Sequence, residues 1–172
     1  MNEKAKSVLG ISKTIQTELS SICGIPDEGL PARTQQVLPR SLVKGTRSYI
    51  ERVLNQINGC YEKGWFDACS VMIRRFVETL IIECFEQHGI ADKIKTSNGD
   101  FLFLGDLIDK TLSEKTWNLG RTAKLALPKL KSIGDKSAHS RRFIAQKWDV
   151  EKVIDDLRVV AQELILLSGL KK

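Results

Sequence analysis

The stretch Trp65-Phe66-Asp67-Ala68-Cys69-Ser70-Val71-Met72-Ile73-Arg74-Arg75-Phe76-Val77-Glu78-Thr79-Leu80-Ile81-Ile82-Glu83-Cys84-Phe85-Glu86-Gln87 decides the fold. Phe66, Cys69, Met72, Ile73, Phe76, Val77, Leu80 and Cys84 recur at steps of three and four, so they share one broad face of an α-helix. Val71, Ile81, Ile82 and Phe85 carry apolarity round the other side. The pattern predicts the central helix of the domain over 65–87, ended by Gly89. Asp67, Arg74 and Glu78 are seven and four residues apart and fall on one stripe, with Arg75 on its flank. Because apolar residues border that stripe, another helix is expected to cover its charges in part, which requires them to be paired.

Working outward, helical spacing persists almost everywhere. Val8, Ile11, Ile15, Leu19 and Ile22 form an N-terminal stripe, and Pro26, Gly29 and Pro31 mark a linker from Gly24 to Pro39. A helix is expected to begin near Ser41 and to carry Leu42, Tyr49, Ile50, Val53, Leu54 and Ile57, with turns allowed at Asn58-Gly59 and Lys63-Gly64. After a loop at Asn98-Gly99-Asp100, residues Phe101, Leu104, Leu107, Ile108 and Leu112 predict a shorter helix. Arg121 to His139 predicts another, interrupted or restarted at Pro128, which lacks the amide that a helix interior needs. The last helix has Asp149 as expected N-cap, a stripe from Val150 to Leu167 and Gly169 at its C-terminus. No segment alternates with period two. The reading is therefore an all-α bundle of four to five helices over 39–172, with an N-terminal helix and Pro/Gly-containing linker over 1–38.

A chain of 172 residues is long enough to bury a sizeable core without staples. Cys23, Cys60, Cys69 and Cys84 contain no C-x-x-C pair, which suggests a reducing, cytoplasmic setting and argues against zinc. His88 and His139 are too few and too distant for a His-rich metal site, so no metal and no cofactor are expected. No run of about eighteen apolar residues occurs, so no membrane span is expected. With 27 Lys and Arg against 21 Asp and Glu, the formal charge of +6 favours polyanionic partners. There are no P-loop, G-x-G-x-x-G or repeat signatures.

The polar chemistry concentrates in Lys131-Ser132-Ile133-Gly134-Asp135-Lys136-Ser137-Ala138-His139-Ser140-Arg141-Arg142. Asp135 and His139 are four apart, so a carboxylate could fix the imidazole tautomer or raise its pKa. Gly134 offers a place where two helix backbones approach closely. Arg74 or Arg75, Glu78, Asp135 and His139 are thus expected to converge, either as a packing network or as a catalytic site.

At these residues the chain resembles bacterial HEPN-like domains of unknown function, in which an R-R-x-x-E helix is followed later by G-[ND]-x-x-A-H. Here the two motifs are Arg74-Arg75-Phe76-Val77-Glu78 and Gly134-Asp135-Lys136-Ser137-Ala138-His139, and the resemblance covers roughly Pro39 to Gly169. It implies a helical bundle that often dimerises. Many members of that superfamily are ribonucleases of toxin–antitoxin or phage-defence systems, with an arginine four to six residues before a histidine; others are inactive binding or assembly modules. In this sequence the positions for that arginine are Gly134, Ile133 and Ser132, so the nuclease motif is incomplete.

The favoured expectation is a non-catalytic HEPN-like binding or assembly module, with a protein partner or RNA on its outer surface and Lys136, Arg141, Arg142 and Lys147 as the candidate nucleic-acid-binding residues. The alternative is a metal-independent ribonuclease using His139, with Asp135, Glu78 and either Arg74 or Arg75 around it. A homodimer is expected from the wide apolar surface of the central helix, with the stripe Val8 to Ile22 packing on the partner chain. On the packing reading, His139→Ala leaves Asp135 unpaired at a cost of about 1–3 kcal/mol.

Overall fold

The computed structural model describes residues 36–171, together with Thr14. Apart from Thr14, the expected N-terminal helix, Cys23 and the linker up to residue 35 lie outside the described residues. The described chain is an all-α bundle of five helices: α1 (Ser48–Glu62), α2 (Phe66–Gln87), α3 (Leu104–Ser113), α4 (Arg121–His139) and α5 (Lys147–Leu167). Short 3-10 turns occupy Arg40–Leu42 and Ala91–Ile94. Among the described residues none of the helices is long and apolar enough to cross a membrane.

The central position of α2 follows from its composition. It packs against all four other helices, and Cys69, Ile73, Phe76, Val77, Leu80, Ile81, Cys84 and Phe85 are fully buried. The unusual width of its apolar face is therefore largely consumed within the chain, leaving Ala68, Val71, Met72 and Ile82 at least partly exposed. Phe85 meets Trp117 edge-on at 4.9 Å, and Trp117 meets His88 at 5.0 Å. His88 Nδ1 lies 2.8 Å from the Cys84 carbonyl oxygen, which only accepts, so that nitrogen donates and His88 is a packing residue. Burial pushes the Cys69 and Cys84 thiols up to about 12, leaving both protonated at neutral pH.

Several boundaries differ from the sequence expectation, each for a local reason. The helix expected from Ser41 starts at Ser48, because Gly45 takes φ +83° and its amide donates to Glu51 Oε1 at 2.9 Å. Asn58-Gly59 does not turn; α1 runs through it and ends at Glu62, the chain turning at Gly64 with φ +72°. Pro128 neither interrupts nor restarts α4. It lies on the exposed side with Lys124, whose carbonyl loses its helical partner where water is available. Asp149 is not the N-cap of α5 but its third residue, reaching back to accept from the Gln146 amide at 3.0 Å.

Asn58 is committed to the core rather than to a turn. Its Nδ2 donates to the Leu38 carbonyl at 2.8 Å and its Oδ1 accepts from the Leu38 amide at 3.1 Å. This two-pronged clamp holds Val37 and Leu38, both fully buried, so the core begins two residues before the expected boundary at 39. At the far end of the α1–α2 pair, Arg47 Nε lies 3.2 Å from Glu83 Oε2. Burial pushes the Glu83 carboxyl up, with Arg47 drawing it back down. Replacing Asn58 with Ala strands a buried amide and carbonyl at once. Urea denaturation is expected to show a loss of about 1–3 kcal/mol, and an unchanged midpoint would mean the clamp is not needed.

Candidate functional site

The site grows from the contact between α2 and α4. Gly134 is buried, and a methyl group there would stand 2.5 Å from Arg74 Cβ and 3.1 Å from the Ser70 carbonyl oxygen. Only a residue without a side chain lets the two helices approach this closely. The stem of Arg74 crosses at that point, and its head meets the next residue along α4: Nε donates to Asp135 Oδ1 at 2.8 Å. Arg74 Nη1 lies 3.5 Å from Glu78 Oε2 one turn along α2. The second Asp135 oxygen accepts from Lys131 Nζ, one turn back on α4.

Arg74, Glu78 and Asp135 thus converge, as the stripe implied, and Lys131 joins them. Its position four residues before Asp135 was the signal for that pairing. Burial acts to raise the Asp135 pKa, but the hydrogen bonds and charges of Lys131 and Arg74 outweigh it and hold the carboxyl below its ordinary value. The side chains are only about a quarter exposed, 24% for Arg74 and 29% for Asp135, so solvent screens the pairs incompletely.

Arg75 and His139 do not join. One residue is about 100° of helix rotation, so Arg75 points away from α4 and forms the rim of an open groove between α1 and α2. His139 is the last residue of α4, is exposed, and its side chain has no hydrogen bond or ion pair with the described residues. The expected Asp135–His139 pairing is therefore replaced by Asp135–Arg74 and Asp135–Lys131, since two full cations compete better for a carboxylate than an imidazole. The expected stability loss in His139→Ala loses its basis with that pairing. Asp67, on the same stripe as Arg74, accepts from the Ala145 amide at 3.0 Å and ties the α4–α5 connection to the start of α2.

The candidate nucleic-acid-binding residues separate as well. Lys136, Arg141 and Arg142 are exposed at the end of α4 and just beyond it. Lys147 instead lies 3.7 Å from Glu151, which accepts from the Tyr61 hydroxyl at 3.0 Å and so faces α1. A cleft of about 470 Å³ between α3 and α4 is walled by Gly105, Ile108, Asp109, Ser132, Lys136 and the Lys131–Asp135 pair. His139 is not on its wall. Among the described residues no three His, Cys, Asp or Glu side chains gather as a metal-binding set.

Compared with known proteins, the chain matches no family model, no curated protein and no solved structure.

Two predictions follow from the α2–α4 contact. Gly134→Ala gains helix propensity yet is expected to destabilise by about 1–3 kcal/mol, because Arg74 Cβ and the Ser70 backbone have to move. Gly59→Ala meets nothing within 4 Å in the described structure and is expected to stabilise by about 0.5–1 kcal/mol. Equal signs in urea titrations of the two variants would contradict the close approach. For Asp135, a folded-state pKa below the unfolded one gives stability that is complete above the ordinary carboxylate range and lost as acid protonates the folded form. Glu83 contributes with the opposite sign, since its folded pKa is raised. Asp135→Asn should therefore be less stable than the native chain at neutral pH, and the gap should narrow as pH falls below the ordinary carboxylate range; a pH-independent gap would show that charge at Asp135 is immaterial.

Proposed function

We propose that this chain is a non-catalytic helical binding or assembly module of HEPN-like character, in which the polar residues of the two motifs fix helix packing. The observation that supports this reading is that Arg74 and Asp135 spend their charges on each other, on Glu78 and on Lys131, while His139 stands outside. General acid–base catalysis needs an imidazole within reach of an orienting group and of the charge that develops. Here the guanidinium and the carboxylate that would serve are bound elsewhere, inside a seam between helices.

The direct test separates the two residues. Arg74→Ala is expected to cost about 1–3 kcal/mol, because Glu78 and part of Asp135 lose their partner. His139→Ala is expected to change stability by less than about 0.5 kcal/mol. Incubation with RNA in the presence of a chelator should give no cleavage above a mock-purified control. Cleavage abolished by His139→Ala in a stably folded protein would overturn the reading.

The surface this module offers to a polyanion is the exposed basic end of α4 with Lys136, Arg141 and Arg142, supported by the net charge of +6. Fluorescence anisotropy with single-stranded RNA is expected to show weak binding, and Arg141→Ala with Arg142→Ala to make the log–log salt slope shallower by about 1.4, or 0.7 per phosphate contact. Lys147→Ala should leave the slope alone. A slope unmoved by the double substitution would remove these arginines from the interface.

A further inference from the structure

An open cleft runs between α4 and α5, beside the basic end of α4. It encloses about 420 Å³, within the about 300–1,000 Å³ of small-ligand sites. Ile133 of α4 and Val153 of α5 form its apolar floor, and Phe143, in the connection between the two helices, adds a half-buried ring. Lys129, Ser132 and Lys136 fall at steps of three and four on α4 and share one wall; Lys152 of α5 stands on the other. Two acids temper these cations. Asp149 also lines the cleft, with its carboxylate accepting from the Gln146 amide at 3.0 Å, and Asp156 holds Lys129 at 2.9 Å. With both counted the balance stays positive, and Arg141 and Arg142 directly precede Phe143 in the chain.

We propose that this cleft takes one nucleotide of a single RNA strand, its base against Phe143 and the apolar floor and its phosphates on Lys136 and Lys152. The proposal rests on the reading that the basic end of α4 binds RNA, and extends that surface on to α5. Single-strand sites combine an aromatic face for the base with cations that follow the backbone, and here both line one cleft. A duplex keeps its bases stacked inside and cannot use such a pocket.

The parts are held ready for this. The Phe143 amide donates to Ser140 Oγ at 3.2 Å and the Ala145 amide to Asp67 Oδ1 at 3.0 Å, so the connection that carries the ring is fixed on both sides of it. Lys152 Nζ lies 3.8 Å from the centre of the Trp148 ring, one turn back on α5, an attraction that keeps the ammonium at hand without neutralising it. Lys136 is exposed and bears no ion pair among the described residues. Of the three lysines, only Lys129 is already matched by a carboxylate.

The test uses the full chain and a fluorescein-labelled oligouridylate of about twelve nucleotides, titrated by anisotropy well below the melting midpoint of each variant. Lys152→Ala, at an exposed position, is expected to make the log–log salt slope shallower by about 0.7. Phe143→Leu keeps an apolar side chain but removes the aromatic face; it is expected to weaken binding about fivefold or more with the slope unchanged. Binding that responds to Arg141→Ala with Arg142→Ala but to neither cleft variant would overturn the cleft and leave the basic end of α4 as the interface. Inorganic polyphosphate competing as well per phosphate as unlabelled oligouridylate would overturn the base contact. No binding by the native chain would overturn this proposal together with the reading on which it rests.

Discussion

The close approach of α2 and α4 at Gly134 is the constraint on which the rest of the structure depends. Because no side chain intervenes, the stem of Arg74 lies against the Gly134 backbone, and its head therefore lands on Asp135, the single carboxylate of α4. Fixing α4 in this way fixes α5 in turn. Lys129 reaches Asp156 at 2.9 Å, and the Gly120 amide at the start of α4 donates to Glu163 at 2.7 Å. The returning connection is then secured to α2 by Asp67 and the Ala145 amide. A glycine in mid-helix forgoes about 1 kcal/mol of propensity relative to alanine, so its presence in α4 is intelligible only through the seam that it permits.

Periodicity made the helices legible, because burial of one face is what makes them helices at all. Boundaries were less legible. Asn58-Gly59 has the composition of a turn, yet the amide is worth more as a two-pronged clamp on Leu38 than as a chain reversal, and that partner is twenty residues away. Pro128 reads as a break unless one knows that the carbonyl it orphans faces water. Asp149 looks like a cap from its type alone and acts instead from the third position of the helix. Each of these depends on which side of an element meets solvent, information that local sequence carries only weakly.

The site was legible as a set and not as a geometry. Seven- and four-residue steps correctly associate Arg74 with Glu78, and the glycine before Asp135 marks where another helix can come near. The same steps put Arg74 on the stripe and Arg75 on its flank, but do not say which side of the stripe the covering helix takes; a rotation of about 100° sends Arg74 into the seam and Arg75 to the groove. For Asp135 the expected i, i+4 partner was His139, whereas Lys131, equally four residues away on the other side, takes the contact. The cation at the covered end prevails over the imidazole at the terminus, because a carboxylate that is partly desolvated needs formal positive charge.

These placements divide α2 into two kinds of surface. Toward α4 the charges are spent within the fold: Arg74 and Glu78 of α2 and Asp135 of α4 have little freedom to meet a ligand without first giving up the contact that positions them. Toward the α1–α2 groove, Ala68, Val71, Met72 and Arg75 are held in place by the helix, and their side chains make no ion pair or hydrogen bond with the described residues. Substitutions on the first surface therefore act through stability, and a change of recognition there would be inseparable from partial unfolding. Substitutions on the second leave the seam that holds the bundle intact. That separation is achieved by two adjacent arginines facing different ways.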